Sequence, residues 1–322
     1  MNNKQITLEQ TAKLLLHADN ILVLCHQYPD GDTIGSAAGL CLALQRLGKR
    51  VRIACNDPFP SKYDYMTAPI ALQDFAPDFI CAVDVADSKL LGANMQVYAD
   101  KIDLCIDHHG TNTGYAKQVL LNAEDAATTM LIFNLLKYLG VQLDSEIAAC
   151  LYTGIVTDTG CFKYSNTTAW AHRIAADCME TGIPYDMINR VMFDTKSRAR
   201  IELERRALEG ISFYFNDRLA IMAITNEMIA QSGATEDDLE GLPPLVRQIE
   251  GVWVGVTLRE HADGGFKVSM RTGKHANASD LCKLLGGGGH AAAAGCRIDL
   301  PLQEATDKLI HVVGENVLRI KE

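Results

Sequence analysis

The 322-residue sequence has no apolar run approaching the roughly 20 residues that a membrane-spanning helix needs. Its first residues, MNNKQITLEQTAK, lack the basic segment and apolar run of a secretory signal peptide. It has no C-x-x-C pair, and several of its ten cysteines lie inside apolar runs such as LVLCH and DLCID, as small buried side chains do. We therefore expect a soluble cytoplasmic protein with reduced thiols rather than a disulfide framework.

The sequence also lacks an excess of positive charge. Its 30 Lys and Arg residues against 40 Asp and Glu residues give a net charge of −10 with histidine neutral. This balance argues against a protein that coats long nucleic acid, whose phosphates favour a basic surface. Small anions can still bind in a local basic or metal-lined pocket. The length and a hydrophobic content of 48% suit two domains, each with its own core.

Short β-branched or apolar runs alternate with helical patterns in the first half of the chain. The runs predict strands at 20–26, 50–55, 78–85, 102–109 and 118–123. The helical patterns lie at 32–48, 125–139, 144–157, 167–182 and about 184–210. Continuous apolar strands separated by helices are typical of a mostly parallel sheet covered on both faces. The pattern predicts an N-terminal doubly wound α/β domain over residues 1–190.

The pattern changes after a charged, helix-favouring segment, residues 191–210, which we interpret as a helical linker. ISFYFNDRLAIMAI predicts two strands around an Asn-Asp turn, and VWVGVTLRE and GFKVSMRT flank HADGG, a hairpin signal. A short helix at 277–287, a strand in GCRIDL and an amphipathic helix at 301–320 follow. These elements predict a smaller C-terminal α/β domain over residues 211–322.

Polar side chains interrupt the first domain where its strands end. They are His26, Asp30 and Asp32 after the first strand, Asp84 in the third, Asp107, His108 and His109 at the end of the fourth, and Asp158 on a helix. Ligands of a doubly wound sheet collect outside the carboxyl ends of its strands, so these side chains are expected to converge. Neighbouring carboxylates stay ionised together only with a cation between them, and mixed imidazole and carboxylate ligands suit Mn²⁺, Zn²⁺, Fe²⁺ or Co²⁺. Six or seven ligands suit two ions that share a bridging carboxylate.

Each of these residues, taken alone, has a structural alternative. Asp32 can cap the helix that follows it, and Asp107 can orient an imidazole instead of binding a metal. Asp84 and Asp158 are harder to explain structurally, because an unpaired buried carboxylate is costly. Taken together, the residues favour a metal site.

A glycine-rich segment, GGGGHAAAAG, is the second functional signal. Its backbone can approach a ligand closely and present N–H groups to an anion at Gly287, Gly288 and Gly289. His290 follows at once, and Arg271 lies in the earlier SMRT stretch. A flexible loop is the alternative for a bare glycine run, but the histidine and the arginine favour a site for the non-reacting part of a phosphorylated substrate.

The motifs HQYPDGDTIGS, AVDVADS, IDHHGTN and YTGIVTDTGCFKYSNTT resemble, in this order, the four motifs of the DHH phosphoesterase superfamily. VSMRT and GGGGHAAAAG resemble its DHH-associated C-terminal domain. The compact two-domain length resembles the branch of bifunctional oligoribonucleases and 3′-phosphoadenosine 5′-phosphate (pAp) phosphatases, the nano-RNases. The resemblance implies hydrolysis of short oligoribonucleotides, linear dinucleotides such as pApA and pGpG, and pAp.

The resemblance also implies a cofactor, two divalent metal ions that are Mn²⁺ by preference. The implied ligands are His26, Asp30 and Asp84 for one ion, and Asp32, Asp84, His108 and Asp158 for the other. Asp84 would bridge the ions, and a hydroxide shared by them would attack phosphorus in line. His109 would face the scissile phosphate as a stabiliser or acid, and Asp107 would orient an imidazole rather than bind a metal. Arg271 and His290 would bind the distal phosphate or nucleotide.

The expected partner is a short RNA or a small nucleotide, and neither a long duplex nor a membrane. One alternative is an inorganic pyrophosphatase of related fold, which would need a dense Lys and Arg pocket. Mainly Arg271 and Lys274 stand beside the glycine segment, which favours a larger ligand. The other alternative is a non-catalytic nucleotide-binding sensor, and the presence of every expected ligand argues against it. The sequence leaves the oligomeric state open, a homodimer included.

Overall fold

The computed structural model describes residues 5–239, 241–289 and 291–318. The chain divides into two compact units, Met1–Thr195 and Lys196–Glu322. In the described ranges no helix is both long enough and apolar enough to cross a membrane.

A five-stranded parallel sheet forms the centre of the first unit, in the order β2–β1–β3–β4–β5. Its strands are β1 (Ile21–Leu24), β2 (Val51–Ala54), β3 (Phe79–Val83), β4 (Leu104–Asp107) and β5 (Gln118–Leu121). The helices are α1 (Leu8–His17), α2 (Gly31–Arg46), α3 (Asp64–Thr67), α4 (Thr128–Leu139), α5 (Ser145–Asp158), α6 (Ala169–Glu180) and α7 (Tyr185–Asn189). The five predicted strands and the α/β class are confirmed. The strands are each shorter than predicted by two to four residues.

The strand order places a switch point between β1 and β3. The chain winds to one side from β1 to β2 and to the other side from β3 through β4 to β5. At such a point the loops that follow the central strands part and leave a crevice at the carboxyl edge of the sheet. The residues that follow β1, β3 and β4 therefore meet at this edge.

The two faces of the sheet are covered differently. Helices α2, α4, α5 and α6 bury one face with an apolar core that includes Ile34, Met130 and Ile155. The other face, which includes Leu22, packs against residues near two 3₁₀ segments, Ser88–Leu91 and Ala93–Lys101. The doubly wound arrangement is confirmed, but short 3₁₀ turns cover the second face.

The long helix predicted at about 184–210 is wrong as one element. Helix α7 passes into a π-helical turn at Arg190–Asp194, and the backbone becomes extended at Thr195. Helix α8 (Arg198–Glu209) then starts afresh, because the Ser197 hydroxyl caps it by accepting the Arg200 N–H at 2.9 Å. Buried Leu203 and Ala207 pack α8 into the core of the second unit.

A six-stranded mixed sheet forms the second unit, in the order β10–β11–β9–β8–β7–β6. Its strands are β6 (Ser212–Tyr214), β7 (Leu219–Ile224), β8 (Val254–Glu260), β9 (Phe266–Thr272), β10 (Gly288–Gly289) and β11 (Ala293–Ile298). Its remaining helices are α9 (Asn226–Ser232), α10 (Ala278–Lys283) and α11 (Leu302–Val313). Both predicted hairpins are confirmed as antiparallel pairs, β6 with β7 and β8 with β9. The parallel pairing of β7 with β8, with α9 in the connection between them, was not predicted.

Candidate metal centre

Asp84 lies at the middle of the polar cluster and directly follows β3 in a left-handed conformation, with φ of +60°. Its N–H still donates to the Ile106 carbonyl at 2.9 Å, so the strand pairing continues through the bend. The side chain is 3% exposed, and its oxygens lie 3.6 Å from His26 Nε2, from His108 Nε2 and from His109 Nδ1. Aspartate is among the few residues that accept this backbone conformation, which turns its carboxylate into the crevice.

His26 and Asp30 form one side of the cluster, between β1 and α2. His26 Nδ1 lies 2.7 Å from the Gln27 carbonyl, and its Nε2 lies 3.6 Å from Asp30 Oδ1. Burial disfavours charge on His26, but hydrogen bonds and charges from Asp30 and Asp84 outweigh it and raise its pKa to about 11. Burial likewise opposes ionisation of Asp30, yet the His26 contact lowers the pKa of that carboxyl to about 2. In the metal-free protein a proton on His26 therefore takes the place of a cation.

The capping role considered for Asp32 at the start of α2 is wrong, because Asp30 fills it. Asp30 stands just before Gly31, and its Oδ1 accepts the N–H groups of Asp32 and Thr33, each at 3.1 Å. The fully buried Asp32 carboxylate crosses to α4 and accepts the Thr128 N–H at 2.6 Å and the Thr129 N–H at 3.0 Å. Burial and the neighbouring Asp84 charge raise the pKa of Asp32 to about 7.

His108 and Asp158 complete the other side of the cluster. His108 Nε2 lies 3.3 Å from Asp158 Oδ2, 3.6 Å from Asp84 Oδ1 and 3.9 Å from Asp32 Oδ2. This nitrogen is buried and has no hydrogen-bond partner among the residues that the structure describes. Burial and the nearby Asp32 charge raise the pKa of Asp158 well above its usual value. A buried imidazole nitrogen without a hydrogen bond and three carboxylates around it are ligands that a divalent cation would bind.

His109 is held from behind by Asp107. His109 Nδ1 lies 2.7 Å from Asp107 Oδ1, and Asp107 Oδ2 accepts the Asn112 amide N–H at 2.6 Å. Burial opposes charge on His109, but the Asp107 hydrogen bond outweighs it and raises the pKa of His109 to about 9. The same bond, against the effect of burial, lowers the pKa of Asp107. The Asp107 carboxylate therefore orients the His109 imidazole, as carboxylates behind the histidines of metal sites commonly do.

The structure thus brings together all the residues expected in the first unit. Three sets have ligand atoms within 4.8 Å of one another: His26, Asp30 and Asp84; Asp32, His108 and Asp158; and Asp84, His108 and His109. Sequence reasoning missed three side chains that hold this cluster in place, Thr128, Thr129 and Asn112. The AATTM stretch carried a signal for the two threonines. The helix begins at Thr128, and the residue before it, Ala127, has no side chain that could cap it.

The glycine segment of the second unit has a packing role in its own sheet. Gly288 and Gly289 pair with Gly295 and Ala294, and a Cβ on Gly287 would lie 2.2 Å from the Gly295 carbonyl oxygen. Arg271 lies on the adjoining strand β9, where it pairs with Ala293 of β11. These expected substrate-binding residues therefore share one end of the sheet. His290 lies outside the described residues.

Gly154 permits the close approach of α5 to this cluster. A Cβ at this position would lie 2.5 Å from Thr129 Oγ1 and 2.7 Å from Asp32 Oδ1. We expect Gly154→Ala to push the start of α4 from Asp32 and to cost about 1–3 kcal/mol of unfolding free energy. Urea denaturation measures this cost. Gly39→Ala on α2 is the control, because Gly39 is a helical glycine that lies outside the cluster. Gly140→Ala is unsuitable as a control, because the φ of Gly140 is positive. Equal stability of Gly154→Ala and wild type would contradict this prediction.

Two known domains match the chain: the DHH family, N-terminal domain, over residues 20–155 and the DHHA1 domain over residues 216–317. The bifunctional oligoribonuclease and PAP phosphatase NrnA of Thermus thermophilus is 33% identical over 93% of this chain and 90% of its own length. A crystal structure of an exopolyphosphatase-related protein from Bacteroides fragilis superposes with a TM-score of 0.88 at 27% identity, over 98% of this chain and 97% of that one. RecJ of Thermus thermophilus in complex with Mn²⁺ shares the fold, with a TM-score of 0.60 at 15% identity, over 97% of this chain and 55% of that one.

The fold, the polar cluster and these matches define a hydrolase that acts on phosphoester bonds. The chain belongs to the DHH family of phosphoesterases. The resemblance to the bifunctional oligoribonuclease and pAp phosphatase branch is confirmed by the identity to the Thermus protein over most of both chains.

Proposed function

We propose that this protein hydrolyses short oligoribonucleotides, linear dinucleotides such as pApA and pGpG, and pAp, with two divalent metal ions that are Mn²⁺ by preference. The main support for this proposal is the buried His108 Nε2, which has no hydrogen-bond partner in the described ranges and faces three carboxylates. The name of the Thermus relative supports the substrate class, and the Mn²⁺ in the RecJ structure supports the metal.

The proposed ligand sets follow the two groups of side chains around Asp84. His26, Asp30 and Asp84 would hold one ion, and Asp32, Asp84, His108 and Asp158 would hold the other. Mixed imidazole and carboxylate donors suit Mn²⁺, and the carboxylates of this cluster have pKa shifts that a cation would remove. When bound, two such ions supply Lewis acidity and activate water at neutral pH.

The other side chains act on the substrate itself. We propose that His109, held by the Asp107 hydrogen bond that raises its pKa, stabilises the scissile phosphate or donates a proton to the leaving oxygen. Arg271 would bind a distal phosphate, as a guanidinium binds an anion in two-pronged contacts. Gly287, Gly288, Gly289 and His290 are proposed to complete this binding region.

The acidic composition fits short substrates better than long ones. A net charge of −10 offers little counterion release on a long duplex, whereas a few nucleotides need only local positive groups. All ten cysteines are free thiols in the described ranges, which supports our proposal that the protein works in the reducing cytoplasm. A homodimer remains compatible with this function.

A substrate panel tests the proposed function. Purified protein stripped of metal and then given Mn²⁺ is assayed on pAp, pApA, pGpG, RNA 2- to 10-mers and pyrophosphate. We expect turnover of the nucleotides that depends on Mn²⁺ and falls with RNA length, and little turnover of pyrophosphate. Preferred cleavage of pyrophosphate would support the related pyrophosphatase activity instead. Binding of the nucleotides without any turnover would support a sensor.

A further inference from the structure

Helix α4 begins without a capping side chain of its own. Its N-cap residue, Ala127, offers no hydrogen-bond acceptor on its side chain, although the first N–H groups of a helix need one. The Asp32 carboxylate from α2 supplies that acceptor, at 2.6 Å from the Thr128 N–H and 3.0 Å from the Thr129 N–H. The start of α4 and one expected metal ligand therefore fix each other in place.

The hydroxyl groups of the same two threonines also point at the cluster. Thr129 Oγ1 donates to Asp32 Oδ1 at 2.8 Å, and Thr128 Oγ1 donates to Asp84 Oδ1 at 2.9 Å. Both threonines are fully buried. Each hydroxyl therefore occupies one lone pair of a carboxylate and fixes the direction in which the remaining lone pairs point.

Three of the four other buried threonines described in this unit use their hydroxyls within their own helix, and the fourth, Thr33, donates to the Val83 carbonyl at 3.2 Å. Thr11, Thr153 and Thr159 each donate to the carbonyl four residues earlier in their own helix, at 2.9, 2.7 and 2.6 Å. That bond is the usual one for threonine inside a helix. Thr128 and Thr129 instead donate across the core to carboxylates on other elements, which a purely helical role does not require.

We propose that Thr128 and Thr129 are positioning residues that orient the carboxylates of Asp84 and Asp32 toward the metal ions, an inference that rests on the proposed two-metal function. The two threonines have different consequences. Thr128 orients the carboxylate that both ions would share, whereas Thr129 orients a ligand of one ion only. Loss of the Thr128 hydroxyl should therefore lower the affinity for both ions, and loss of the Thr129 hydroxyl should lower the affinity for one.

Valine and serine variants separate the hydroxyl from the shape of the side chain. Valine keeps the volume of threonine and removes the donor, while serine keeps the donor and loses a methyl group. The variants are Thr128→Val, Thr129→Val, Thr128→Ser and Thr129→Ser, with Thr11→Val as the matched control on α1. Mn²⁺ is titrated into each metal-free protein, and free Mn²⁺ is read by its electron paramagnetic resonance signal, which reports affinity and stoichiometry without any enzyme assay.

We expect wild type to bind two Mn²⁺ ions. Thr128→Val should lower the affinity for both ions by about 10- to 100-fold, the usual cost of losing a group that orients a metal ligand. Thr129→Val should weaken one ion by a similar factor and leave the other unchanged. Both serine variants and Thr11→Val should bind as wild type does. If Thr128→Val does not fold, Thr128→Ala compared with Thr128→Ser makes the same test on smaller side chains.

The outcomes separate this inference from the proposed function. Two ions bound by wild type, with unchanged affinity in both valine variants, would overturn the positioning role alone. Equal weakening in Thr11→Val, or serine variants as weak as valine variants, would also overturn it, since the hydroxyls would then not be the cause. A wild-type protein that binds no Mn²⁺ would overturn the two-metal function together with the inference.

Discussion

Asp84→Asn is expected to reduce Mn²⁺-dependent hydrolysis by about 10³-fold or more, the largest effect of any single substitution in this protein. The reason is the central place of this carboxylate, which lies 3.6 Å from His26, His108 and His109 alike. Because it is the one residue shared by both proposed ligand sets, its loss would affect both ions. The measurement is kcat on pApA at saturating Mn²⁺, with Mn²⁺ binding recorded in parallel.

Asparagine is a better replacement than alanine at this position for a structural reason. Asp84 has a φ of +60°, a conformation that asparagine accepts nearly as well as aspartate. Alanine there would add about 1–2 kcal/mol of backbone strain, so that lost activity and lost stability would be mixed. Asparagine also keeps an oxygen that accepts the Thr128 hydroxyl.

Asp103→Asn is the matched control for this substitution. The Asp103 carboxylate lies beside the same sheet, where it accepts the Ile80 N–H at 2.9 Å and contacts Lys117, outside the polar cluster. We expect this variant to keep wild-type activity per folded molecule. Mn²⁺-dependent turnover that survives Asp84→Asn at the wild-type rate would disprove the proposed role of Asp84.

The convergence of the polar residues was predictable because it follows from topology. His26, Asp84 and Asp107 each come directly after an apolar run, and the carboxyl ends of parallel strands share one edge. Nothing about side-chain contacts was needed to place them together. The two hairpins of the second unit were predictable for a similar reason, since their turns and strands are adjacent in sequence.

The supports of the cluster were not predictable in the same way. Local capping rules assign Asp32 to the helix that contains it, whereas the structure uses it for a helix that begins 96 residues later. The left-handed turn at Asp84 is likewise decided by tertiary structure, because an aspartate in an apolar run gives no signal of it. The 3₁₀ segments that cover the second face of the sheet were not predicted, because such short segments have no hydrophobic periodicity that the sequence could show.

The second large effect concerns pH. We expect Mn²⁺ to stabilise the protein much more at pH 8 than at pH 5. Burial and nearby negative charge raise the pKa of Asp32 to about 7 and raise that of Asp158 as well. At pH 5 the Asp32 carboxyl holds a proton that a metal ion must displace, and at pH 8 it does not. Metal binding, and with it the gain in stability, should therefore increase with pH.

The metal-free protein should show the opposite trend. A carboxyl whose pKa is raised on folding leaves stability unchanged below its ordinary pKa of 3.8 and costs stability as pH rises toward the folded value. For Asp32 this cost is complete near pH 7 and amounts to at most about 4 kcal/mol. The pKa of Asp30 is lowered to about 2, so the contribution of Asp30 to stability changes only below its ordinary pKa of 3.8. His26, with its pKa raised to about 11, adds stability below pH 6.5 that is lost at higher pH.

Urea denaturation at pH 5, 6, 7 and 8, with EDTA or with saturating Mn²⁺, measures both trends on one protein. The unfolding free energy should fall with pH in EDTA, and the difference between the two conditions should widen at each step. Asp32→Asn removes the carboxyl that titrates, so its unfolding free energy in EDTA should fall less between pH 5 and pH 7. A Mn²⁺ effect of equal size at pH 5 and pH 8 would show that the buried carboxyls are not the groups that give up protons to the metal, and would remove the electrostatic basis of the proposed centre.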